Sequence, residues 1–163
     1  MPEFPAGALR FAAVNAVREQ IDIAAPAERI WAVVHQDIAN VPRWARSLER
    51  TEVLGGGPLR VGSELRYLAR LPTGTTAELR MVVDHYDEFT HCAGTLDATA
   101  MRGRWDWRYA ERAGVTSVMY ETRVRVASLF RLLAGAVEGR IREDVRRDLA
   151  ALREYVEAGK GPR

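Results

Sequence analysis

The feature that most constrains the fold is a long amphipathic helix pattern over residues 128–158, which follows a series of short strand-like segments. Apolar residues recur there at spacings of three and four, the periodicity of a helix with one buried face. A single helix of this length would have to cover the inner face of a whole antiparallel sheet. The apolar stripe consists of Val137, Ile141, Val145, Leu149, Leu152 and Val156.

The first turns of this helix carry small residues where a packed helix usually has leucine, namely Ala134, Gly135, Ala136 and Gly139. Each glycine inside a helix costs about 1 kcal/mol relative to alanine. Such residues permit either a close backbone approach or open space. We interpret them as leaving space for a ligand between the helix and the sheet.

The rest of the chain predicts one strand, two short helices and six further strands. The first strand is predicted at residues 14–23, and Pro26 then opens a helix that ends near residue 36. A second helical turn is expected near residues 41–47. Alternating polarity and Gly/Pro turns predict the later strands at 48–54, 63–71, 76–86, 89–98, 101–110 and 115–126. Their short connections predict antiparallel neighbours and an α+β fold.

Length and composition favour one globular domain over residues 13–159, preceded by a loose arm over residues 1–12. The net charge is only +2, and no basic face is interleaved with stacking aromatics, so nucleic-acid binding is disfavoured. No stretch approaches 18 apolar residues, so we expect no stable membrane insertion. Residues 1–13 lack the pattern of a signal peptide. The expectation is a cytoplasmic monomer or homodimer.

The sequence predicts neither a metal nor a cofactor. Its histidines, His35, His85 and His91, lack the spacing of metal ligands. The single cysteine, Cys92, has no nameable base partner and is interpreted as a buried thiol. The glycines of residues 55–57 join two strands rather than opening a helix, so they do not form a phosphate loop.

Several short segments match a known superfamily. Residues 21–31 resemble its first strand, Ala-Pro step and first helix, and residues 40–44 are similar to its Tyr-Pro-x-Trp turn. Residues 53–63 resemble its second hairpin, and residues 84–87 stand where it often has Glu-Tyr-Asp. Over about residues 14–158 the chain therefore resembles the SRPBCC superfamily, the START-like group that includes polyketide cyclases/dehydrases and the birch-pollen-allergen fold.

The resemblance implies a helix-grip fold. In this fold a curved seven-stranded antiparallel sheet closes around the long C-terminal helix, with two short helices between the first and second strands. A cavity lies between sheet and helix, and members bind lipids, sterols or polyketides. The superfamily has no catalytic signature in common, so the fold alone does not assign a reaction.

Alternation along the strands places an aromatic lining with a few polar groups on the face that should meet the helix. Tyr109 shares this face, and the tryptophans among the lining residues also suit a simple role as core filler. The candidate ligand-binding residues are Tyr67, Met81, Trp105, Trp107, Tyr120 and Thr122 from the strands and Ala134, Val137 and Ile141 from the helix.

Two residues predicted to face inward are candidate catalytic groups. A carboxylate such as Glu19 on an inner strand face is costly unless it is paired or wet. It therefore either pairs with an arginine at the rim or has a raised pKa that suits acid–base chemistry. Histidine is a common general base in proteins, so His85 is a candidate for that role, although a position near a strand end also suits a surface residue.

Three functions follow from these expectations. The first is binding of a hydrophobic or aromatic small molecule, lipid-like or polyketide-like, in a cavity between sheet and helix. The second is a polyketide cyclase or dehydratase that uses the same cavity. The third is a protein-interaction module without a ligand, which would have a filled core and an exposed apolar patch.

Overall fold

The computed structural model describes residues 10–71 and 74–162, without the side chains of residues 129–131. Residues 1–9 of the predicted arm and residues 72–73 of a predicted turn lie outside the described residues. The strands are β1 (Phe11–Ala13), β2 (Val17–Ile23), β3 (Leu48–Val53), β4 (Glu64–Arg70), β5 (Thr76–Asp87), β6 (His91–Ala98), β7 (Met101–Arg112) and β8 (Val115–Ala127).

Two helical regions complete the architecture. The first is α1 (Ala27–Trp31), which continues through a π-helical turn (Ala32–Gln36) into a 3-10 segment (Ile38–Arg43). The second is α2 (Ala134–Glu157), which a 3-10 segment (Ser128–Leu133) precedes. Each predicted strand and helix is present within a few residues of its predicted bounds.

All strands belong to one antiparallel sheet with the order β1-β8-β7-β6-β5-β4-β3, and β2 also pairs with β8. Phe11 pairs with Ala127, whereas Val17 pairs with Thr122 further along β8. The edge of the sheet is thus one interrupted strand, which makes eight strands where seven were predicted. At the interruption, the Asn15 side-chain amide leaves the sheet and donates to Glu138 at 3.0 Å.

Helix α2 lies across the concave face of this curved sheet, which confirms the predicted helix-grip fold. The C-terminal half of its apolar stripe is fully packed, with Leu149, Leu152 and Val156 all buried. Around Trp31, which is fully buried, the rings of His35, Tyr86 and Tyr109 lie within 5.4 Å between centroids. The earlier part of the stripe is only half-buried, as at Ile141 and Val145. The core is therefore solid at one end of the sheet and open at the other.

Candidate functional site

A cavity of about 300 Å³ occupies the open end of the core, between the sheet, α2 and the segment that leads into β3. Seven of the nine predicted ligand-binding residues lie in its wall. They are Tyr67, Met81, Trp105, Trp107, Tyr120, Thr122 and Ile141. The alternation of side chains between the two faces of a strand was enough to place these strand residues on the concave face, because β4, β7 and β8 keep a regular register across these positions.

The remaining two residues, Ala134 and Val137, pack beside the core but do not line the cavity. The interpretation of the helix glycines was also wrong. Gly135 and Gly139 are exposed, and a Cβ atom added to either would meet nothing within 4 Å. Both face away from the sheet, so their small size does not create the space beneath it.

Small residues on the sheet are better placed to leave that space. Ala69 of β4 and Ala77 of β5 are register partners, and both line the cavity. A leucine at either position would project into the volume that the cavity occupies. The free volume therefore depends on two alanines on the concave sheet surface.

Sequence reasoning missed Asp148, which places a carboxyl group in the cavity wall. Burial raises the pKa of Asp148, and hydrogen bonds from Ser47 oppose that shift only in part. Among the ion pairs in the described part of the chain, none involves Asp148. The helix pattern places Asp148 on the same face of α2 as residues 141, 145 and 152, but that pattern alone does not show that its carboxyl group is buried.

Two tyrosine hydroxyls also face this wall. Burial raises the pKa of Tyr67 and raises that of Tyr120 to about 12, so both side chains are neutral near pH 7. The hydrogen bonds of the described residues leave the Tyr67 hydroxyl unused. Nearby Asp148 also contributes to the raised pKa of Tyr120, so the carboxyl group and the Tyr120 hydroxyl lie within electrostatic range.

Trp44 lines the same wall, which agrees with the position at the cavity mouth that the sequence offers as an alternative to a role as core anchor. Its side chain is 4% exposed, and its indole N–H is buried without a hydrogen-bond partner among the described residues. A buried donor that lacks an acceptor costs about 1–3 kcal/mol. In contrast, the Trp105 indole N–H donates to the Thr95 carbonyl at 3.1 Å, which fixes that ring.

His35 closes the inner end of the cavity, where the core begins. Its Nε2 atom lies 2.9 Å from the Tyr109 hydroxyl, and its ring is buried among aromatic side chains. Burial lowers the pKa of His35 to about 3, so the ring is neutral at pH 7. A neutral imidazole bonded to a tyrosine fits a structural role in the core.

The first candidate catalytic residue, Glu19, lies outside the cavity wall and is paired with two arginines of α2. Its carboxylate oxygens lie 2.9 Å from Arg142 and 3.0 Å from Arg146. Burial would raise the pKa of Glu19, but the hydrogen bonds from Arg146 and Arg142 outweigh burial and lower the pKa. This is the ion pair at the rim that the sequence left as one alternative.

The prediction that the second candidate, His85, faces the helix is wrong. The pairing of β5 with β6 shifts between Val83 and His85, and this bulge turns His85 to the outer face of the sheet. There His85 bonds Asp87 at 2.9 Å, and its ring centroid lies 4.1 Å from that of His91. His85 therefore has no contact with the cavity.

The described residues contain no group of three or more His, Cys, Asp or Glu side chains that could hold a metal ion. Cys92 is fully buried, and burial raises the pKa of its thiol to about 12, so it is not a nucleophile near neutral pH. Within the described chain, neither helix is long and apolar enough to cross a membrane.

Solved structures with the same architecture are numerous, and three illustrate the similarity. The protein TTHA0849 from Thermus thermophilus has a TM-score of 0.75 at 19% identity, with 89% of this chain and 99% of that chain covered. A START superfamily protein from Mycobacterium smegmatis has a TM-score of 0.68 at 19% identity, with 90% and 99% covered. The Zhui aromatase/cyclase from Streptomyces sp. R1128 has a TM-score of 0.72 at 20% identity, with 88% and 94% covered.

At these identities the likeness shows the fold alone, and the search of curated proteins found no significant match. The sequence profile of one family does match, over residues 15–157, which is nearly the whole sheet and α2. That family is described as polyketide cyclase / dehydrase and lipid transport. The chain belongs to the polyketide cyclase/dehydrase and lipid transport family.

Proposed function

We propose that this protein binds a hydrophobic or aromatic small molecule in the cavity between the sheet and α2. The observation that carries the proposal is the cavity itself, an apolar space of about 300 Å³ with a few polar groups in its wall. Binding sites for small molecules have this character and begin at about this volume. Family membership supports the same class of ligand.

The energy available from such a site is sufficient for useful affinity. Burial of roughly 400 Å² of ligand surface at about 25 cal/mol per Å² contributes on the order of 10 kcal/mol. Loss of translational and rotational freedom costs about 4–15 kcal/mol, and at the lower end of that range about 6 kcal/mol remain, which corresponds to binding in the tens of micromolar without a charged contact. The protein-interaction alternative lacks this support, because it expects a filled core.

Intrinsic fluorescence tests the proposal, because three of the four tryptophans line the cavity. Titration with two-ring aromatics and with fatty acyl compounds should change the emission in a saturable way for at least one class. The double substitution Ala69→Leu/Ala77→Leu should weaken that binding at least tenfold by filling the cavity. Ala110→Leu, at an exposed position of β7, is the matched control. Equal binding by both variants would contradict the proposal.

A second function, cyclisation or dehydration of a polyketide-like substrate, is favoured by Asp148. Aldol cyclisation needs a base that takes a proton from an activated carbon and a donor to the carbonyl oxygen under attack. Asp148 would supply the base and Tyr120 the donor, and the presence of both in the cavity wall supports this proposal. A ring-closed product that forms from a linear poly-β-ketone only with Asp148 intact would support it. Equal rates with Asp148→Asn would contradict it.

A further inference from the structure

The cavity wall contains neutral hydrogen-bond donors and an isolated acidic group. The donors without a partner among the described residues are the Tyr67 hydroxyl and the indole N–H of Trp44, and the Tyr120 hydroxyl, which is hydrogen-bonded to Thr122, lies in the same wall. Buried donors of this kind recover their hydrogen-bond energy when a ligand supplies a neutral acceptor, such as a carbonyl oxygen. They bring no positive charge that would stabilise an anion.

The charges around the cavity disfavour an anionic ligand. Asp148 forms no ion pair among the described residues, and Arg147, whose charge lowers its pKa to a small extent, is engaged together with Arg140 by the other wall carboxylate, Asp144. Arg70 is an exposed residue at the end of β4, so its charge stays in water. A ligand carboxylate would therefore lose its hydration beside Asp148 without a buried cation to compensate.

We propose that the cavity selects uncharged ligands that carry a hydrogen-bond acceptor, such as aryl ketones and esters, and that Asp148 excludes the corresponding carboxylates. This inference rests on the ligand-binding function proposed above. The Ser47 hydroxyl donates a hydrogen bond to the Asp148 carboxylate and fixes its position in the cavity wall. Ser47 belongs to the same segment of the chain as Trp44. Asp148 and the Trp44 indole N–H therefore border the same part of the cavity.

The selection against anions comes from the ionised form of Asp148. The ionised carboxylate repels a ligand anion, whereas the protonated carboxyl would offer a donor to a carbonyl oxygen and to a ligand carboxylate alike. The groups that face Asp148 are Ser47 from the segment before β3, Tyr120 from β8, and Asp144 and Arg147 from α2 itself. Of these, only Arg147 is cationic, and it already pairs with Asp144.

Calorimetric titration with 2-acetylnaphthalene and 2-naphthoate at pH 7.5 tests this selectivity, because the two probes share one ring system. The unsubstituted protein should bind the ketone at least tenfold more tightly than the carboxylate. Asp148→Asn should narrow that ratio at least fivefold, chiefly through tighter binding of naphthoate. Asp84→Asn, which removes a carboxylate from the outer face of the sheet, should leave the ratio unchanged.

The outcomes separate the two proposals. Binding of both probes with equal affinity, or a ratio that Asp148→Asn does not change, would overturn the selectivity and leave the ligand-binding function standing. Failure of both probes and of the wider panel to bind would overturn the ligand-binding function and the selectivity with it. Asparagine closely matches the shape of a protonated aspartate. At low pH, where Asp148 of the unsubstituted protein is protonated, Asp148→Asn should therefore unfold at the same temperature as the unsubstituted protein.

Discussion

The Ser47 hydroxyl donates a hydrogen bond to the Asp148 carboxylate, and the Ser47 backbone N–H donates a second bond at 3.4 Å. These contacts tie the segment before β3 to the middle of α2 in the wall of the cavity. They also hold an acidic group at an interface that is otherwise largely apolar. The behaviour of Asp148 therefore reports on both the stability of the fold and the chemistry of the site.

The first prediction concerns the pH dependence of stability at Asp148. Because burial raises its pKa above that of the unfolded chain, the folded protein keeps the proton to higher pH, and stability falls as pH rises through the folded pKa. Asp148→Asn should therefore gain stability relative to the unsubstituted protein as pH rises above the ordinary aspartate pKa of 3.8, as measured by urea denaturation. Ser47→Ala should make the loss of stability with rising pH larger, because it removes a side-chain hydrogen bond that lowers the pKa of Asp148. Parallel stability profiles would contradict this account.

His35 should make the fold sensitive to acid. Its folded pKa of about 3 lies below the ordinary value of 6.5, so the unfolded chain binds the proton first and stability falls as pH drops through this window. Between pH 6.5 and pH 4 the loss from this group should be about 3 kcal/mol. His35→Gln should remove most of that slope, whereas Tyr109→Phe should keep it. A slope that survives in His35→Gln would show that other groups cause it.

Glu19 should matter for stability and not for the ligand. Its partners Arg142 and Arg146 have 32% and 63% of their side chains exposed, so solvent screens the pair. Glu19→Gln should cost about 1 kcal/mol at neutral pH, and the difference should vanish as pH falls below the pKa of the carboxyl. Ligand affinity should stay within twofold in a fluorescence titration. A tenfold loss of affinity would contradict this prediction and indicate that Glu19 contributes to ligand binding.

For the exposed glycines of α2, we predict that substitution by alanine stabilises the protein. Gly135 and Gly139 are exposed, and an added Cβ meets nothing within 4 Å, so alanine gains helix propensity without a clash. Each substitution should stabilise the protein by up to about 1 kcal/mol in chemical denaturation. Gly94→Ala is the contrasting variant, because its Cβ would lie 2.0 Å from the Val82 carbonyl oxygen and should destabilise the sheet. Loss of ligand binding in Gly139→Ala would contradict the cavity position described above.

The sequence predicted most of the fold because most of the strands alternate regularly between inward and outward side chains. Trp105 and Trp107 alternate with charged residues on β7, and that alternation alone places them on the concave face. His85 escaped the same rule because a bulge adds a residue to β5, and no glycine or proline marks it in the sequence. Asp148 escaped because a polar residue at the edge of an apolar stripe normally faces solvent. Its burial depends on the distant Ser47, which a local pattern does not reveal.

The most direct test of the account is to map where a bound ligand lies. Methyl chemical shifts recorded by NMR during titration with 2-acetylnaphthalene distinguish the cavity from the rest of the surface. We expect shifts to concentrate at Met81, Leu96 and Ile141, which line the cavity, while the exposed Val82 and Val115 stay unchanged. Shifts confined to those exposed valines, or none at saturating ligand, would contradict binding between the sheet and α2.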